Sequence, residues 1–305
     1  YAAIQSDQTD VYNGQKKLMG KFDKIYDLAI YQMSFMLEVR DFSETRLEEA
    51  KKKHFPTEEN KNPNTRFINN PVLLQIRDNA DFNRRVDNLA VNWSTEPEMI
   101  RKVYMNLLDT DFYKEYLELK ESNYKQDKEF VIRFFEEVVL PHESLHALFA
   151  EKNLDWTDDY NLSAEVVMMI ISNFKQGWTE VKRFPPLFKD DKEEGRSQDR
   201  SFARDLFKEV LDKQFEYDEL IKPSIKNWEL DRLATIDKIL IKMALAEILE
   251  MPTIPIKVSM NEYIDLSKYF STPKSKVFIN GILDHIIAEL KEQGKIKKIG
   301  RGLVN

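Results

Sequence analysis

The sequence predicts an all-α fold, and three observations carry that expectation. Only 8 of the 305 residues are glycine, which leaves tight hairpins little support. No long stretch alternates apolar with polar residues as a half-buried strand would. Apolar residues instead recur at helical spacing along most of the chain. With 42% hydrophobic and 32% charged residues, the chain is too apolar for disorder and too charged for a membrane protein. No apolar run approaches the roughly 18 residues a membrane span needs, and no charged-then-apolar leader is visible. The absence of cysteine excludes disulfides and thiolate metal sites and fits a cytoplasmic location.

The elements follow in order. The chain opens on Tyr1 rather than Met, in what reads as the end of a helix, so residues upstream are expected. Leu18, Phe22, Ile25, Ala29, Met33, Met36 and Leu37 form one apolar stripe, and further helical patterns run over 71–93, 98–120, 128–153 and 160–182. Two polar breaks read as loops: 54–70, with Pro56 and Pro63, and 184–199, with Pro185, Pro186, Gly195 and a charge run. From Ser201 the pattern tightens into four helices over 201–220, 229–250, 256–270 and 275–292. This divides the chain into 1–14, the end of a first helix; 15–198, a helical insertion; 199–292, a helical domain; and 293–305, a basic tail.

Net charge is −7 and uneven: 201–305 carry 17 Lys+Arg against 16 Asp+Glu, leaving 29 against 37 for 1–200. An acidic chain holds no RNA by a general positive field, so any nucleic-acid contact must be local or shared with a basic partner. In 229–250, apolar residues from Leu230 to Ile248 surround most of the helix and leave a polar stripe of Asp231, Thr235, Lys238 and Lys242. A helix apolar over most of its circumference is central in a bundle. Glu247 falls opposite the stripe, where a buried carboxylate needs partners: backbone amides nearby or a partner protein. In the last helix Asn280-Gly281 interrupts the apolar pattern, and the glycine is expected where a facing helix comes close. Ser275 is a candidate N-cap there. Lys274 and Lys276 oppose the macrodipole at that helix start, which an anion such as phosphate would compensate.

Those residues carry a family resemblance. The run 220–223, then Asn227-Trp-Glu-Leu-Asp-Arg-Leu-Ala234, Ile236-Asp-Lys-Ile-Leu-Ile-Lys-Met-Ala-Leu245, Glu247, Ile254-Pro-Ile-Lys-Val258, Asn261-Glu262 and Phe278-Ile-Asn-Gly-Ile-Leu-Asp284 resembles the NusB family over about ninety residues. Tyr1-Ala-Ala-Ile-Gln5 resembles the end of that family's first helix. The resemblance implies a NusB-like helical bundle with an additional helical region inserted after the first helix. It also implies a transcription antitermination factor that binds boxA RNA of ribosomal RNA leaders with the ribosomal protein NusE, and other Nus factors and RNA polymerase indirectly. By position, Asp231, Asp237 and Lys238 resemble the NusE-facing surface, and Lys274, Ser275, Lys276, Phe278 and Tyr1 the RNA-facing one. Phe278 is either a core residue or a platform for an unstacked base. Glu247, Asn280 and Gly281 are read as structural. Many relatives carry an acid where this chain has Lys274, and the family's Arg-rich segment would lie upstream of Tyr1.

Two other readings compete. A NusB-like module also serves RNA-modifying methyltransferases, in which an α/β cofactor domain follows it. His142-Glu143-Ser-Leu-His146 matches the H-E-x-x-H pattern of zinc hydrolases, with Glu165 the one nameable third ligand. Two exposed helix-face histidines are the plainer reading of that pattern, and no catalytic residue, metal or cofactor is expected. The tail lysines Lys291, Lys295, Lys297 and Lys298, with Arg301, either touch RNA or form a solvated end.

Overall fold

The structure is a computed structural model that describes residues 10–55, 57–188, 198–225 and 233–303. Every regular element among the described residues is helical, as expected. The chain forms two compact units, one of Gly20–Leu187 and one of Tyr1–Met19 with Phe188–Asn305. No helix among the described residues is long and apolar enough to cross a membrane.

The unit Gly20–Leu187 is built around α1 (Val11–Lys51). Leu28, Ala29, Ile30, Met33, Phe35, Met36 and Val39 are fully buried, so the middle of this helix is covered on all sides rather than along one stripe. Two expected helices are each divided by a side-chain cap. In 71–93, Asn79 Oδ1 accepts the Phe82 amide at 3.0 Å, ending α2 (Pro71–Arg77) and opening α3 (Ala80–Asn88). In 98–120, Thr110 Oγ1 accepts the Tyr113 amide between α4 (Pro97–Asp109) and α5 (Asp111–Glu118). The pattern over 128–153 becomes α6 (Tyr124–Arg133), a π-helical turn (Phe134–Val139) and α7 (Glu143–Lys152). Pro141 separates the last two, because it lacks an amide and its ring disfavours helix in the residue before it. α8 (Asp155–Asn173) stops nine residues before the expected 182, where Phe174 turns to extended backbone.

The other unit holds α9 (Gln198–Asp212), α10 (Gln214–Ile221), α11 (Thr235–Glu250), α12 (Ile256–Phe270) and α13 (Ser275–Glu292). The expected helix 201–220 is broken at Lys213, whose ammonium bridges Glu209 at 3.1 Å and Glu250 at 2.6 Å. The expected start of 229–250, with Asp231, lies outside the described residues, as does Tyr1. α12 and α13 have the expected bounds. The start of α1 packs here at Gly14, where a Cβ would sit 2.6 Å from the Phe207 ring.

α11 is the central helix of this unit, with Leu240, Ile241, Ala244, Leu245, Ala246 and Ile248 buried. Its polar residues are buried too. Lys242 is no surface residue: it is 3% exposed and pairs with Asp218 at 2.8 Å. Glu247, 5% exposed, accepts Ser259 Oγ and Tyr263 OH, each at 2.7 Å. Its partners are thus hydroxyls of α12, not backbone amides, and burial beside this carboxylate pushes the Tyr263 phenol far up from its ordinary value. Gly281 also departs from expectation. It is exposed, and a Cβ there would meet nothing within 4 Å among the described residues, so none of the described helices closes on it. Asn280 beside it donates Nδ2 to Asp284 at 2.8 Å along the helix surface. The tail is docked as far as it is described. The Lys295 amide bonds Leu290 O, Lys298 Nζ donates to Met251 O at 2.9 Å, and the Ile299 amide donates to Pro252 O at 3.0 Å.

Two substitutions separate these roles. Glu247→Ala strands two buried hydroxyls and is expected to lower unfolding stability by about 2–6 kcal/mol in urea titrations, at roughly 1–3 kcal/mol per stranded group. Gly281→Ala meets open space and is expected to leave stability unchanged or raise it by up to about 1 kcal/mol.

Candidate nucleic-acid interface

The turn between α12 and α13 is built on Asp237, in the first turn of α11. Ser271 Oγ donates to Asp237 Oδ1 at 2.5 Å and Ser275 Oγ donates to Oδ2 at 2.8 Å. With its proton spent on the carboxylate, Ser275 Oγ accepts the Thr272 hydroxyl at 2.8 Å and the Thr272 amide at 3.2 Å. The Ser275 amide closes the turn on Thr272 O at 2.9 Å. One carboxylate thereby ties two serines four residues apart and holds the chain reversal.

This corrects two expectations. Asp237 is 6% exposed, so it is a buried fastener rather than a surface charge facing a protein partner. Ser275 is 1% exposed and its hydroxyl is committed to the turn, so it is neither exposed toward RNA nor the N-cap, a position that Lys274 occupies without a side-chain bond. Lys238, one residue on from Asp237, is half-buried.

Around the fastener the turn displays what remains. Lys274 and Lys276 are exposed, and neither pairs with an acid among the described residues. The first free amides of α13 lie beside them, so helix dipole and side chains add positive potential at one point. Phe278 is half-buried against the bundle core, nearer the core reading than the platform one. Two aromatic side chains that the apolar pattern did not single out stand exposed at the end of α12: Tyr269 is 82% exposed and Phe270 63% exposed. Both fall off the apolar spacing of α12 and precede a polar turn bearing lysines, a signal present in the sequence.

The zinc reading finds no assembled site. His142 lies before α7 with extended backbone, while the His146 ring packs against Tyr160 at 4.6 Å. Among the described residues no group of three or more His, Cys, Asp or Glu could hold a metal ion.

The helices of this unit define a compact all-α bundle presenting a basic and aromatic turn. Residues 161–288 match the NusB family. Three relatives are each described as a transcription antitermination protein NusB. That of Salinibacter ruber is 45% identical over 105 residues, 34% of this chain and 66% of the relative. That of Chloroherpeton thalassium is 42% identical over 106 residues, 35% of this chain and 50% of the relative. That of Geobacter sulfurreducens is 36% identical over 133 residues, 44% of this chain and 96% of the relative. The matches therefore span about two thirds and half of the first two relatives and nearly all of the third. No solved structure matches significantly. The chain belongs to the NusB family.

If Asp237 holds the turn, Asp237→Ala should speed amide hydrogen exchange across 271–278 and lower stability by about 1–3 kcal/mol, the cost of stranding the one buried hydroxyl, that of Ser275. Exchange as slow as in the parent protein would show that the turn stands without it.

Proposed function

We propose that the chain is a transcription antitermination factor that binds boxA-type RNA of ribosomal RNA leaders together with NusE, and through that complex acts with other Nus factors and RNA polymerase. Membership of a family whose relatives bear that name supports the general reading. The observation that carries the RNA contact is the held turn: two unpaired lysines at a helix start, with two exposed aromatic rings one turn away. Lysines neutralise phosphates, and rings stack on unpaired bases without demanding a sequence. The role is binding, not catalysis. The chain's net negative charge offers RNA no general positive field, so a basic protein partner would add to the affinity that the local lysines supply. In this reading 15–198 is a helical insertion that adds a separate core and no part of the RNA contact.

Replacing Lys274 and Lys276 together with alanine should weaken RNA binding by the complex with NusE. It should also flatten the salt dependence by about 0.7 in log–log slope per lost phosphate contact on a single strand. Tyr269→Ala or Phe270→Ala should lower affinity by about 1–3 kcal/mol per unstacked base with the slope unchanged. Fluorescence anisotropy at several salt concentrations reads both. Equal affinity and slope for the lysine variant would remove this turn from the RNA site.

For the protein partner, Asp231 and Lys238 remain the proposed NusE contacts, since Asp237 is committed inside. Asp231→Lys should weaken NusE binding in calorimetry by placing like charge against a basic partner. Unchanged affinity would move the interface elsewhere.

A further inference from the structure

A second surface lies on the same helix pair, toward the end away from the RNA turn. There the first turns of α12, at Ile256, Lys257, Met260 and Asn261, face the second half of α13, at Asp284, Ile287, Ala288 and Lys291. Together they line a cleft of about 650 Å³. At ~1.5 Å per residue its α13 wall starts roughly 13 Å beyond Ser275. The cleft therefore shares no residue with the turn that carries the RNA proposal and does not rest on that reading.

Floor and rim differ in chemistry. Ile256, Met260, Ile287 and Ala288 make an aliphatic floor, in which Met260 supplies an unbranched side chain that adapts to an incoming surface. Lys257 and Lys291 stand on the rim, both exposed and neither paired with an acid among the described residues. The lining's one carboxylate, Asp284, accepts Asn280 Nδ2 and keeps its charge, so with two lysines the lining is positive by one. The docked tail runs from Leu290 back to Pro252, the end of the pair where α13 stops and α12 starts, and it carries exposed Lys295, Lys297 and Arg301. The cleft is thus apolar inside and positive at that end.

We infer that this cleft docks an acidic amphipathic helix of a partner protein. An amphipathic helix places apolar anchors three, four and seven residues apart along one face. The α13 wall from Asp284 to Lys291 spans seven residues, about two helical turns or ~10 Å, which matches such a face. Carboxylates flanking the anchors meet Lys257 and Lys291. The alternatives fit less well. A basic partner, or a second copy presenting the same lysines across a two-fold axis, is repelled. A nucleic acid finds no aromatic platform among these lining residues.

The test uses the full chain, labelled at isoleucine, methionine and alanine methyl groups, and a four-turn peptide with leucines on one face and glutamates elsewhere. A control peptide carries lysines in place of the glutamates, and a uridine oligonucleotide serves as the nucleic-acid probe. The acidic peptide should shift the Met260, Ile287 and Ala288 methyl signals saturably while the lysine peptide leaves them unmoved. Lys257→Glu with Lys291→Glu, both exposed and expected to fold with an unchanged circular dichroism spectrum, should weaken the acidic peptide at least tenfold. Absence of shifts at millimolar peptide, equal response to both peptides, unchanged affinity in the folded double variant, or movement of the same methyls by the oligonucleotide would each overturn the inference.

Discussion

A helix buried on nearly every side must find internal partners for each polar group it carries, and α11 meets that demand in a way that organises its whole unit. Asp237 and Glu247 lie ten residues apart on this helix, and each takes two hydroxyl donors from chain that follows it. Glu247 is met by Ser259 and Tyr263, which fixes how α12 lies on α11. Asp237 is met by Ser271 and Ser275, which fixes where α12 ends and α13 begins. An unpaired buried carboxylate would lose its charge or destabilise the fold, so these bonds are requirements of the helix's burial rather than additions to it.

The division of labour at the turn follows from this. The serines face inward and are consumed by the fastener, so the residues between and beside them are driven outward. Lys274, Lys276, Tyr269 and Phe270 are left on the surface, on a turn held by the Thr272 and Ser275 amide bonds, with the first amides of α13 left free. Two cations at a helix start are unfavourable on their own, and a phosphate would resolve that conflict. A local conflict of charge on a chain with an overall negative charge is what makes this turn the proposed place for an anion.

Much of this was legible in the residues, and the failures have physical causes. The bounds of α12 and α13 could be read because apolar spacing, Pro255 before one helix and the polar turn before the other all mark the same positions. The burial of Glu247 was legible from its place opposite the polar stripe, but its donors were not, because periodicity within one helix does not reveal which residue of the next lies across from it. Asp237 misled for the same reason: on α11 alone it sits near polar residues, and only the return of the chain at Ser271 and Ser275 buries it. Asn79 and Thr110 divide helices whose apolar pattern runs through the break, since a cap changes backbone direction without changing spacing. Gly281 suggested close packing because a helix-interior glycine usually needs a reason, yet its side faces solvent. The docked tail was hidden because the carbonyls that hold Lys298 and Ile299 belong to Met251 and Pro252, some fifty residues earlier.

We propose that single-stranded RNA meets this chain at the turn held by Asp237. Photo-crosslinking of a boxA-type RNA carrying 4-thiouridine to the complex with NusE, followed by mass spectrometric identification of the linked peptide, tests it most directly. The link is expected within 268–278, at Tyr269 or Phe270. Links to this chain confined to the unit Gly20–Leu187, with none in that peptide, would contradict it.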